Sequence, residues 1–149
     1  ARLKAARKLG ATNVIDVTGK HDLVKAVNAH RPEGVQFDVV IEAVGKPEVW
    51  EAAAWLVRKG GLVNFFGGCP SGTTVSLDTA LLHYSSVTLK ASFHHTPRTI
   101  RRALEFIEAG VIHAGDFVDG ESPLSGLPAL LQTMAAGNRA VKTFIRVRE

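Results

Sequence analysis

A single cysteine, Cys69, stands among 149 residues. It excludes an internal disulfide framework and suits a reducing, cytoplasmic setting. No apolar run approaches the roughly 18 residues that cross a bilayer, so no membrane partner is expected. The first residues, Ala1-Arg2-Leu3-Lys4-Ala5-Ala6, lack the apolar core of a signal peptide and read as helix. They also lack an initiator Met, which fits a chain that starts inside a longer protein. Basic residues exceed acidic ones by 18 to 14, a formal net charge of +4. Yet they are scattered among acids apart from short pairs such as Arg101-Arg102, and no basic run carries interleaved aromatics. The charge describes a mildly basic surface that tolerates anionic ligands, and no nucleic-acid partner is expected. Internal repeats and low-complexity segments are absent as well.

The chain has the composition of an ordinary globular domain. Hydrophobic residues make up 46% and charged residues 21%, and the mean hydropathy is +0.09. Apolar periodicity switches between helix and strand, the signature of an α/β sheet. A helix from Arg2 to Leu9 stops at Gly10, and Asn13–Val17 reads as a short strand. A helix follows from Asp22 to about His30, then the strand Phe37–Gly45, whose apolar centre suits burial on both faces. Pro47 opens a helix that Gly60-Gly61 closes, and Leu62–Phe66 is the next strand. Asp78 can cap a short helix over Thr79–His83, ahead of a strand at Val87–Phe93. Thr96 and Pro97 start a helix with Ile100, Leu104 and Ile107 on its inner face, closed by Gly110. Ser122-Pro123 reads as a turn, Leu127 to Met134 as a helix capped by Gly137, and Val141–Val147 as a half-buried strand.

Three features occur in order: Leu3-x-x-Ala6-x-x-Leu9-Gly10-Ala11 with Val14-Ile15-Asp16, then Phe37 to Gly45 (FDVVIEAVG), then Leu56 to Val63 (LVRKGGLV) with Phe66-Gly67-Gly68. Together they resemble the second half of the nucleotide-binding domain of zinc-type medium-chain dehydrogenases, near the sorbitol and alcohol dehydrogenase branches. The helix, Gly137 and Lys142-Thr143 of the tail resemble the segment returning to the catalytic domain. The resemblance implies a truncated Rossmann-like doubly wound parallel sheet with a C-terminal helix and strand. It implies a partial dinucleotide-binding domain over residues 1–110 and a return segment over 111–149. The glycine-rich loop that cradles a pyrophosphate at a helix N-terminus, G-x-G-x-x-G, does not occur in this sequence. One cysteine cannot supply the family's zinc ligands. No catalytic residue and no metal site are therefore expected here. NAD or NADP and zinc would serve a longer parent acting on an alcohol or polyol, and this chain alone would be inactive.

By position, the resemblance makes Arg2 a contact to the adenosine ribose or its phosphate, though a solvated helix-end charge reads equally well. Ala43, Val44 and Gly45 end a parallel strand, where α/β sheets bind ligands. In the family that edge passes the cofactor riboses; a plain strand-to-helix turn is the alternative. Phe66 and Gly67 end the next strand, where the family packs backbone against the nicotinamide, and Phe66 is larger than the usual valine. Ser92 and His94 align with backbone groups that bond the carboxamide. Lys142 aligns with a basic contact to the pyrophosphate, against the alternative of an outward lysine on an alternating strand.

His94-His95 does not read as a metal pair, because adjacent residues on extended chain point to opposite sides. Cys69 reads as a plain loop thiol. Two other functions compete: a non-catalytic nucleotide-binding or assembly module, and a methyltransferase-like domain, which would also need a glycine loop after a first strand. Without a first strand, Asn13–Val17 must shift beside Phe37–Val44 or borrow a partner. The strand at Val87–Phe93 corresponds to the family's dimer edge, so a homodimer is expected.

Overall fold

The computed structural model describes residues 2–137 and 140–147. Ala1, counted with the N-terminal helix above, lies outside them. The elements run α1 (Arg2–Lys8), α2 (Leu23–Asn28), β1 (Phe37–Glu42), α3 (Pro47–Leu56), β2 (Val57–Phe65), α4 (Thr79–Tyr84), β3 (Thr88–Ala91), α5 (Pro97–Glu108), β4 (Val118–Pro123), α6 (Leu127–Ala135) and β5 (Lys142–Arg146). They fall into two compact units: Ile15–His94, and Ala1–Val14 with His95–Glu149. No helix of the described residues is long and apolar enough to cross a membrane.

The unit Ile15–His94 is built on a parallel sheet of order β1-β2-β3. Register sets Val40 opposite Val63 and Val63 opposite Leu89. Period-two alternation sends that row to one face, where Ala53 of α3 packs and Val63 is fully buried. On the opposite face β1 is exposed, Val39 to 52% and Ile41 to 64%, while Leu62 and Asn64 beside them on β2 are partly buried. The apolar run of β1 thus marks a strand that could be covered twice but is covered once, because only α3 lies on it. β2 starts five residues earlier than its glycine pair suggested. α3 stops at Leu56, and Val57 is already extended (φ −82°, ψ 148°). The charged stretch from Arg58 joins the sheet through a register irregularity opposite Phe37–Val39, held by Arg58 Nε donating to Asp38 Oδ1 at 2.6 Å.

Asn13–Val17 forms no strand. It joins no ladder among the described residues, with β1 or with any other strand, and a strand without a paired neighbour has no ladder hydrogen bonds to hold it. α2 and α4 form as expected, with Asp22 and Asp78 side chains accepting from Lys25 N and Leu81 N, both at 2.8 Å.

In the other unit, β4 and β5 pair in parallel, with α6 between them in sequence. β4 occupies residues expected to hold only a turn at Ser122-Pro123. Asp119 steadies the pair: its carboxylate accepts from Val141 N at 3.0 and 3.2 Å. α5 carries the expected Thr96 cap as a reciprocal box with Thr99, and Pro97 leads it. Its apolar stripe is not an inner face, since Ile100, Leu104 and Ile107 are all more than half exposed.

Candidate functional site

The carboxyl ends of β1 and β2 meet within the Ile15–His94 unit, and glycine makes the meeting possible. Gly45 sits at φ +77°, and a Cβ there would fall 2.4 Å from the Gly68 carbonyl oxygen. A Cβ on Gly67 would fall 2.4 Å from the Gly45 nitrogen and 2.7 Å from Glu42 Oε2. Neither position has room for a side chain. Ala43 and Val44 beside Gly45, and Phe66 beside Gly67, are exposed. The two strand ends therefore pack backbone against backbone beneath the exposed side chains of Ala43, Val44 and Phe66, an apolar wall of the kind on which a flat ring and sugar can lie.

Beneath that wall lies Glu42, 2% exposed. Its main-chain oxygen accepts from Phe66 N and Gly67 N, both at 2.8 Å. Its Oε1 accepts from Val44 N at 2.7 Å and Gly45 N at 2.9 Å. Trp50 supports the same edge from α3: its Nε1 donates to Gly67 O at 2.9 Å, and its ring stacks on Phe65 at 4.0 Å. Sequence reasoning assigned no role to either residue. An acid closing the apolar run Val39-Val40-Ile41, two residues before a Val-Gly turn, was the available signal.

Ser92 joins this edge from β3. Its amide donates to Phe65 O at 3.1 Å and its hydroxyl to Asn64 Oδ1 at 2.8 Å. His94 follows with a left-handed backbone (φ +64°), unusual for a side-chain-bearing residue, beside the 90%-exposed Phe93. Five of the expected positions (Ala43, Val44, Gly45, Phe66, Gly67) are thus gathered on adjoining strand ends, with Ser92 tied to Phe65. Arg2 and Lys142 belong to the other unit. There Arg2 Nη2 donates to Ala140 O at 3.4 Å, and Lys142 is an exposed residue of β5.

Cys69 lines a cavity of about 330 Å³ together with Trp50, Gly72 and Val75. Desolvation, with the negative charges of Glu42 and Glu48, pushes its thiol up, which disfavours the thiolate a nucleophile needs. Among the described residues no three His, Cys, Asp or Glu side chains gather as metal ligands.

Comparison with known proteins matches this architecture. Benzyl alcohol dehydrogenase from Acinetobacter calcoaceticus superposes with a TM-score of 0.79 at 22% identity, covering 99% of this chain and 40% of that one. A protein from Sinorhizobium meliloti 1021 described as a zinc-binding dehydrogenase and bound to NADP superposes with a TM-score of 0.83 at 24% identity, covering 98% and 42%. The fold is therefore the Rossmann-like α/β fold of the dehydrogenases. The family model for zinc-binding dehydrogenases matches residues 1–109, and the chain belongs to that family. Sorbitol dehydrogenase of Bacillus subtilis (strain 168) is 27% identical over 141 residues, which is 95% of this chain and 37% of that protein. Alcohol dehydrogenase 2 of Caenorhabditis elegans is 33% identical over 107 residues, 72% of this chain and 30% of that protein. The chain thus spans less than two fifths of these relatives' length.

Proposed function

We propose that this chain is part of a zinc-type, NAD(P)-dependent dehydrogenase acting on an alcohol or polyol, and that it supplies one wall of the cofactor cleft without being active alone. The glycine-only approach of the Gly45 and Gly67 backbones at the strand ends carries this reading. Family membership and the NADP-bound neighbour support it. On this reading, residues 1–110 are a partial dinucleotide-binding domain and 111–149 a return segment. Ala43, Val44 and Gly45 pass the riboses. Phe66 and Gly67 back the nicotinamide, and the backbone at Ser92 and His94 meets the carboxamide. Arg2 and Lys142 contact the anionic parts of the cofactor. NAD(P) would carry the hydride; the residues here orient its nicotinamide end and exclude water from one side. The described side chains do not fit a zinc site, and no role for zinc is assigned to them.

The test is dehydrogenase activity in a longer protein containing this sequence, against none from the 149-residue chain. Zinc-independent turnover by the chain alone would overturn the proposal. With no G-x-G-x-x-G loop in the sequence, its own affinity for NADH should be in the millimolar range. A micromolar constant by calorimetry would contradict that. We also propose a cytoplasmic protein that dimerises along the free edge of β3; a monomer by light scattering at high concentration would count against the dimer.

A further inference from the structure

We propose that Glu42 is a positioning residue that fixes the backbone of both cofactor-facing strand ends; the idea rests on the cofactor-cleft reading above. Four amides meet at this residue, Val44, Gly45, Phe66 and Gly67, and the first two depend on its side chain. Every one donates to Glu42, two to the carboxylate oxygen Oε1 and two to the main-chain oxygen. One residue of β1 thus ties its own turn to the end of β2. A leucine or valine would serve the sheet equally well at this position, since Glu42 shares its face with Val40 and stands in register with Phe65. An acid there is a burden for stability. Its second oxygen, Oε2, is buried with no hydrogen-bond partner among the described residues, and such an oxygen is destabilising. A buried group that weakens the fold yet holds the exposed edge in shape is what a site requires.

The arrangement also governs what the edge can bind. With these four amides turned inward to Glu42, the wall does not offer them to an anion, in contrast to a phosphate-binding nest of free N–H groups. It suits the neutral ribose and carboxamide end of the cofactor, and the Glu42 carboxylate keeps the Val44 and Gly45 amides so.

The experiment uses the 149-residue chain, isotope-labelled, with amide exchange and an NADH titration followed by NMR in parallel. In Glu42→Leu, exchange at Val44 and Gly45 should rise roughly tenfold while the Val63 amide stays protected. The NADH shift changes at Gly45 and Gly67 should then need roughly fivefold more ligand. Glu42→Gln keeps the Oε1 acceptor and should restore both readouts to within about twofold. If Glu42→Leu does not fold, Glu42→Met, which keeps the unbranched chain but has no acceptor oxygen, replaces it with the same expected result. Loosened amides with unchanged NADH response would overturn the positioning role and leave the cofactor reading intact. An unmodified chain whose strand-end amides ignore millimolar NADH would instead remove the cofactor reading, and the positioning role with it.

Discussion

The two parallel sheets of this protein are made from similar pieces and reach different ends. Every buried residue of the described chain lies on β1, the turn after it, α3 or β2, Val63, Phe65 and Glu42 among them. β4 and β5 pair along their length apart from one irregularity at Val118–Gly120, with a supporting carboxylate and a connecting helix, yet neither strand nor α6 buries a residue. The difference is α3. Its small residue Ala53 comes close enough to pack with Val63, and Trp50 stacks over Phe65. Pairing alone aligns backbones, and a close-packed second layer is what removes apolar area from water.

The sharpest way to break that contrast is Phe65→Ala. It removes a buried ring and the Trp50 stack, and should lower stability by about 4 kcal/mol in urea denaturation. Gly67→Ala should be next, at about 2 kcal/mol, because the new methyl must push apart the strand ends; the same measurement applies, together with loss of the NADH-induced shifts. In the other unit, Thr96→Ala should cost about 1 kcal/mol through the lost cap of α5. Exposed apolar positions should scarcely register: Ile41→Thr and Ile107→Gln are each expected within about 0.5 kcal/mol. A large loss at Ile107 would show a covered stripe and blur the contrast.

The smallest effect concerns pH. The Lys8 ammonium, hydrogen-bonded to Asp116, holds that carboxyl below the usual range. Because the folded value is the lower one, the pair's stabilisation is present above the ordinary aspartate value of about 3.9 and fades as pH falls through the folded one. Lys8→Ala should move the Asp116 titration upward by NMR and flatten that acid dependence.

Much of the fold was legible where local chemistry and packing agree. Asp78 and Thr96 cap the helices their positions announced, Asp22 proves to be the cap of a helix it was expected to begin, and Pro47 and Pro97 lead theirs. β4 escaped because Asp119, Gly120, Ser122 and Pro123 are all turn formers, and only pairing with β5 makes them extended. Asn13–Val17 failed in the opposite sense: β-branched residues favour extension but cannot supply a neighbour. For the site, the strand-end positions could be read from motif order. Glu42 could not, since an acid in a strand ordinarily means an exposed face, and its burial depends on where β2 places Gly67.

Trp50 gives this architecture an optical consequence. Its indole is stacked on Phe65 and bonded to the Gly67 carbonyl, whereas Trp55, the other tryptophan, is 53% exposed. Two emitters with such unlike surroundings report separately: a shielded one beside the cofactor-facing edge and a hydrated one on the far side of the helix. Replacing Trp55 with phenylalanine would leave a single fluorophore whose emission follows the opening of the strand ends, and whose energy transfer to a reduced nicotinamide would register its arrival.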